Sequence, residues 1–105
     1  MPIFGSKLNK DIADLESKKA SLQRAIKNEI SKLQAVISQL HTEIGRISYE
    51  HFFKNEKVLT DEIIEKFDKI TELNESIAVK EAKIADIASK YDEEISLLRD
   101  LASQA

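Results

Sequence analysis

Apolar residues recur at alternating steps of three and four along two stretches of nearly equal length, and this spacing constrains the chain more than anything else in it. The first stretch runs Leu8, Ile12, Leu15, Leu22, Ile26, Ile30, Leu33, Ile37, Leu40, Ile44, Ile47. The second runs Ile63, Phe67, Ile70, Ile77, Ile84, Ala88, Tyr91, Ile95, Leu98. Steps averaging about 3.5 residues hold side chains on one slowly drifting stripe of a helix, and such a stripe needs a partner helix along its length. The fold expected is therefore all-α, an antiparallel two-helix coiled-coil hairpin. Composition agrees: 33% of the 105 residues are charged, and only two are Gly and one Pro, the profile of long helices. Helices of about 45 residues at a rise of about 1.5 Å reach about 65–70 Å and bury little beyond the seam between them. A deep ligand pocket needs concave walls on several sides and is not expected.

The boundaries follow from local signals. Residues 1–5 read as an irregular lead-in ended by Gly5, with Ser6 or Asn9 able to cap the first helix over residues 6–54. The break falls at Asn55-Glu56-Lys57-Val58-Leu59. Lys54 and Lys57 suit the negative end of a helix, and Asn55 tolerates the left-handed conformation that often ends one. Thr60 is a good cap for a second helix over residues 60–103, with Asp61 and Glu62 in its first turn and Leu59 and Ile64 at the spacing of a hydrophobic staple. Residues 6–105 are thus expected to form one helical-hairpin domain.

A turn centred near residue 57 sets Ile47 against Phe67, Ile44 against Ile70, Ile37 against Ile77, Ile30 against Ile84 and Ile26 against Ala88. Asn74 would then face Leu40 and Glu81 would face Leu33, either as polar seam positions that fix register or at a half-exposed edge. Lys19 also occupies a seam position, its stem packing and its ammonium reaching water. The successive steps of four at Leu22-Ile26-Ile30 mark a stutter. Gly45, inside the first helix, implies close approach of the partner backbone, tolerated drift or a kink.

Residues 1–54 carry nine Lys/Arg against six Asp/Glu, and residues 55–105 carry seven against thirteen. A positive and a negative helix attract and set each other's direction. Lys18 and Lys19 meet Asp92, Glu93 and Glu94 only if the helices run antiparallel. The apolar face is also wider than one partner requires. Ile64, Leu73, Ile87, Leu97 and Leu101 lie beside the second seam, Val36 lies beside the first, and Tyr49, Phe52, Phe53 and Phe67 gather near the turn. A broad stripe suits a bundle of three or four helices. Self-association is expected, as a homodimer of hairpins forming a four-helix bundle, with Ile64, Leu73, Ile87, Leu97, Leu101, Phe52 and Phe53 as its interaction residues.

Chemistry finds no foothold in the sequence. His41 and His51 stand ten residues apart and project differently, the residues three before them are Ser38 and Ser48, and there is no cysteine. No catalytic, metal or cofactor site is therefore expected, and no enzyme activity. The basic residues of the first helix are interspersed with Asp11, Asp14, Glu16 and Glu29, so nucleic acid is not an expected partner. No apolar run is long enough to span a bilayer, Met1-Pro2-Ile3-Phe4-Gly5 does not read as a signal peptide, and Ile3-Phe4 is too short a tip for stable membrane anchoring. The expected setting is the cytoplasm.

Three segments resemble the helical region of small bacterial zinc-ribbon proteins: Ile3-Phe4-Gly5-Ser6-Lys7-Leu8, then Ile37 to Phe53, then Asp61 to Ile77. The resemblance implies two long helices joined by a Tyr-containing turn. It implies no zinc role here, because that family's cysteine pairs are missing. In size and architecture the chain is also similar to small secreted helical hairpins with Trp-x-Gly at the turn, but it has no Trp. The function expected is a non-catalytic structural and protein-interaction module. The alternative is a hairpin chaperone or secretion-type carrier that binds another chain in an apolar groove over Ile64, Leu73 and Ile87.

Overall fold

The computed structural model describes the backbone of residues 3–104 and the side chains of residues 7–104. Two helices make up almost all of it: α1, Ile3–Phe53, and α2, Asp61–Gln104. No strand occurs among the described residues. α1 starts earlier than the sequence suggests. Ile3, Phe4 and Gly5 are helical rather than an irregular lead-in, and Ser6 and Asn9 lie inside the helix instead of capping it. One glycine costs a helix about 1 kcal/mol relative to alanine, too little to halt one followed by so many good formers. Met1 and Pro2 lie outside the described residues.

The turn is built by the residues that signal it. Asn55 takes a left-handed φ of 58°. Around it the Asn55 amide donates to the Phe52 carbonyl at 3.1 Å and the Glu56 amide to the His51 carbonyl at 2.8 Å. These are the two bonds of a Schellman motif, which satisfies carbonyls that the helix end leaves without partners. His51 Nδ1 also lies 2.8 Å from Glu56 Oε2, so one residue pair closes the helix end twice. At the start of α2, Thr60 accepts from the Ile64 amide through its carbonyl at 3.0 Å and from the Ile63 amide through its hydroxyl at 3.4 Å. That is the N-cap expected of it.

Contacts divide the chain into two compact units, Met1–Lys27 with Glu81–Ala105, and Asn28–Lys80. In the Asn28–Lys80 unit α1 and α2 form a hairpin. Ion pairs join Lys66 to Glu43 at 2.9 Å and Lys80 to Glu29 at 2.8 Å. Rising numbers on one helix meet falling numbers on the other, so the helices are antiparallel. Both pairs have their midpoint between Lys54 and Asn55, not near residue 57. This register sets Ile47 level with Ile63, Leu40 with Ile70, Ile37 with Leu73 and Leu33 with Ile77, replacing the expected pairings of Ile47 with Phe67, Ile44 with Ile70 and Ile37 with Ile77. The cause lies in the turn. The Schellman bonds reverse the chain directly after Phe53, and six further residues pass before the Thr60 cap, so the last turn of α1 overhangs the start of α2.

Burial follows the corrected register. Ile30, Ile47, Ile63, Ile70, Leu73 and Ile77 are buried, Ile63 most completely. Leu73 belongs to the seam, not beside it, and Lys66 and Lys80 take seam positions with half-buried stems. Phe67 stays 46% exposed, and Asn74 is exposed as well. Asn74 is therefore no seam residue. Gly45 faces open space: a Cβ built on it meets nothing within 4 Å. It does not serve close approach of α2.

The other unit is also antiparallel. Lys19 Nζ lies 2.6 Å from Asp92 Oδ1, and Arg99 Nη2 lies 2.6 Å from Glu16 Oε1. Lys19 with Asp92 fulfils the expected charge match, whereas Lys18, Glu93 and Glu94 are exposed. Leu8, Ile12 and Ile95 are buried. Leu22, expected in the seam, is 44% exposed, and Gln23 turns inward instead, donating from Nε2 to the Ile84 carbonyl at 3.3 Å. The successive steps of four consequently fall at Leu15-Lys19-Gln23 and not at Leu22-Ile26-Ile30. Ile87 is half-buried beside Ala88, and Glu81 is exposed. With Lys19 opposite Asp92, Ile26 comes level with the turn of Ile84 and not with Ala88.

Candidate interaction surface

The largest exposed apolar side chains of the Asn28–Lys80 unit collect where α1 overhangs α2. Tyr49, Phe52 and Phe53 are 65%, 73% and 76% exposed. The register explains them. Residues level with Phe52 and Phe53 belong to the loop and not to α2, and Tyr49 and Phe53 lie on the side of α1 opposite Ile44, Ile47 and His51. The Tyr49 and Phe53 rings, one helical turn apart, sit with centroids 5.9 Å apart at an interplanar angle of 32°. Val58 and Leu59 of the loop and Ile64 and Phe67 of α2 add further exposed apolar area.

Two charged neighbours are paired. Arg46 pairs with Glu50 at 3.1 Å within α1, and Glu56 is held by His51. Exposed rings and aliphatic groups have the make-up of the centre of a protein interface, where aromatics are enriched. Exposed apolar patches mark interaction sites.

The interaction residues expected from the sequence separate into three groups. Phe52, Phe53 and Ile64 are exposed in the Asn28–Lys80 unit, and Leu97 and Leu101 are exposed in the other. Leu73 is 8% exposed, buried against α1, and is not available to a partner. Ile87 is half-buried. Leu73 therefore does not line the groove expected over Ile64, Leu73 and Ile87. The sequence gathers Tyr49 among the aromatics near the turn without marking it as a surface residue. Its position two residues after Ile47, away from the seam, was the available signal.

In the terminal unit, Glu16, Lys19, Gln23, Asp92 and Arg99 line a shallow groove whose charges are already paired across the helices. Among the described residues no group of three or more His, Cys, Asp or Glu side chains could hold a metal. His41 is exposed and His51 is engaged with Glu56. No helix among the described residues is long and apolar enough to cross a membrane. No protein-family model matches the chain, and no curated protein or solved structure matches it.

Proposed function

We propose that the protein is a non-catalytic structural and protein-interaction module that acts through self-association of its helical hairpin, as a homodimer bringing four helices together in the cytoplasm. The observation that carries this reading is exposed surface. The chain of 11.9 kDa exposes 7754 Å², whereas a single-core monomer of that mass exposes about 5,950 Å². The excess of about 1,800 Å² is more than twice the roughly 800 Å² that each partner buries in a standard interface. It includes the bare rings of Tyr49, Phe52 and Phe53. The carrier alternative draws less support, because the buried Leu73 does not line the groove it requires.

Sedimentation equilibrium over a wide concentration range tests the proposal. The expected result is a species of twice the 11.9 kDa chain mass. The monomer mass at every concentration would overturn it.

A further inference from the structure

α1 carries a second periodic stripe that its contacts with α2 leave unused. Ala35, Ser38, Thr42, Gly45, Tyr49 and Phe52 follow one another at steps of three, four, three, four and three, and every one of them is exposed. Ile37, Leu40, Ile44 and Ile47 face α2, so this stripe lies on the far side of the helix. It is uncharged throughout. Residues 33–53 hold only three Asp, Glu, Lys or Arg, namely Glu43, Arg46 and Glu50, whereas residues 61–81 of α2 hold ten. The outer face of α2 in the same unit shows the usual solvated pattern, with Glu65, Asp68, Glu72 and Glu75 exposed. Thr42 removes one more polar group by turning its hydroxyl back onto the Ser38 carbonyl at 3.1 Å. Gly45 lies at the middle of the stripe with nothing within 4 Å of a built Cβ.

The stripe has large residues at one end and small ones at the other. Laid antiparallel on a copy of itself, about a two-fold axis between Thr42 and Gly45, it sets Phe52 level with Ala35, Tyr49 with Ser38 and Gly45 with Thr42. Each ring meets a small residue, and the central layer pairs Gly45 with Thr42, as interdigitating helix packing requires. A two-fold interface uses the same patch on both subunits and must be self-complementary. Arg46, the one charge at its edge, is already paired with Glu50 at 3.1 Å.

We propose that this face of α1 is the self-association surface, occupied by the same face of a second copy, so that the Asn28–Lys80 units meet in the order α2–α1–α1–α2 rather than closing around a shared core. The inference rests on the self-association reading and names its site. The natural absence of cysteine makes a direct test possible. Thr42→Cys and Gly45→Cys, each treated with a short bismaleimide, should cross-link into dimers at least tenfold faster than Glu72→Cys on the outer face of α2. Tyr49→Glu/Phe53→Glu should weaken the dimer by at least a hundredfold with unchanged helical circular dichroism, since both side chains already face solvent. Val79→Glu/Leu97→Glu, at exposed apolar residues away from this face, should leave the dimer intact. A wild-type chain that sediments as a monomer would sink the underlying reading. A dimer lost in Val79→Glu/Leu97→Glu but retained in Tyr49→Glu/Phe53→Glu, or rapid cross-linking at Glu72→Cys alone, would keep that reading and overturn this face.

Discussion

Two residues, Asn55 and Gly45, have backbone roles that differ in kind. Asn55 sits at a φ of 58°, a conformation costing most L-residues roughly 1–2 kcal/mol and glycine almost nothing. Asn55→Ala should therefore lower the unfolding free energy by about 1 kcal/mol, and Asn55→Gly should be neutral or slightly stabilising. Urea titration of the two variants separates them; equal midpoints would mean that the turn does not hold the left-handed geometry. Gly45 is an ordinary helical residue whose missing Cβ meets only open space. At concentrations too low for association, Gly45→Ala should raise stability by about 0.5–1 kcal/mol, the usual gain in helix propensity. A lower thermal midpoint there would show that α1 is strained at that point. The residue signals at the turn were legible in advance, because capping and left-handed φ depend on neighbours within one helical turn.

At the scale of the helices, the seam is the determinant, and its polar members are instructive. Lys19, Lys66 and Lys80 all occupy positions between α1 and α2, and each reaches an acid on the opposite helix at 2.6–2.9 Å. Exposed ion pairs contribute about 0–1 kcal/mol each, so their main effect is to select direction and register. Replacing ion pairs between packed helices by apolar residues is often neutral or stabilising, and in some systems it costs specificity of register or oligomer state. Lys66→Leu/Lys80→Leu should accordingly keep or raise the thermal midpoint and produce several sedimenting species in place of one. A single sharp species would assign register to the apolar residues alone. Charge introduced at the buried layers has the opposite effect. Ile77→Asp or Ile37→Asp should cost about 3 kcal/mol or more, because a carboxylate is desolvated without a partner, whereas Glu75→Ala should be near neutral. Equal melting temperatures for these variants would refute the seam. Which of two adjacent residues faces inward was not legible at this scale. Asn74 and Leu73, Phe67 and Lys66, and Leu22 and Gln23 all fit a stripe of period 3.5 nearly equally well, and long Lys and Gln stems pack as apolar groups would.

At the scale of the whole molecule, surface area dominates. A chain that leaves about 1,800 Å² more exposed than a single-core monomer is stabilised by a partner that covers its apolar part. If a second copy does so, mass action makes stability depend on concentration. The thermal midpoint should rise by several degrees over a hundredfold increase in protein concentration, read by circular dichroism, and Tyr49→Glu/Phe53→Glu should abolish the rise. An unchanged wild-type midpoint would show that folding and association are uncoupled. Helix type, approximate helix limits, the turn and antiparallel direction were all written in the residues, because periodicity, capping and net charge act locally or along a whole helix. The register, the inward turn of Leu73, Lys66 and Gln23, and the overhang that bares Phe52 and Phe53 were decided only when the two helices met. A shift of four residues between them, about one helical turn, leaves every local preference satisfied, and the asymmetric path of residues 54–60 selects among those shifts.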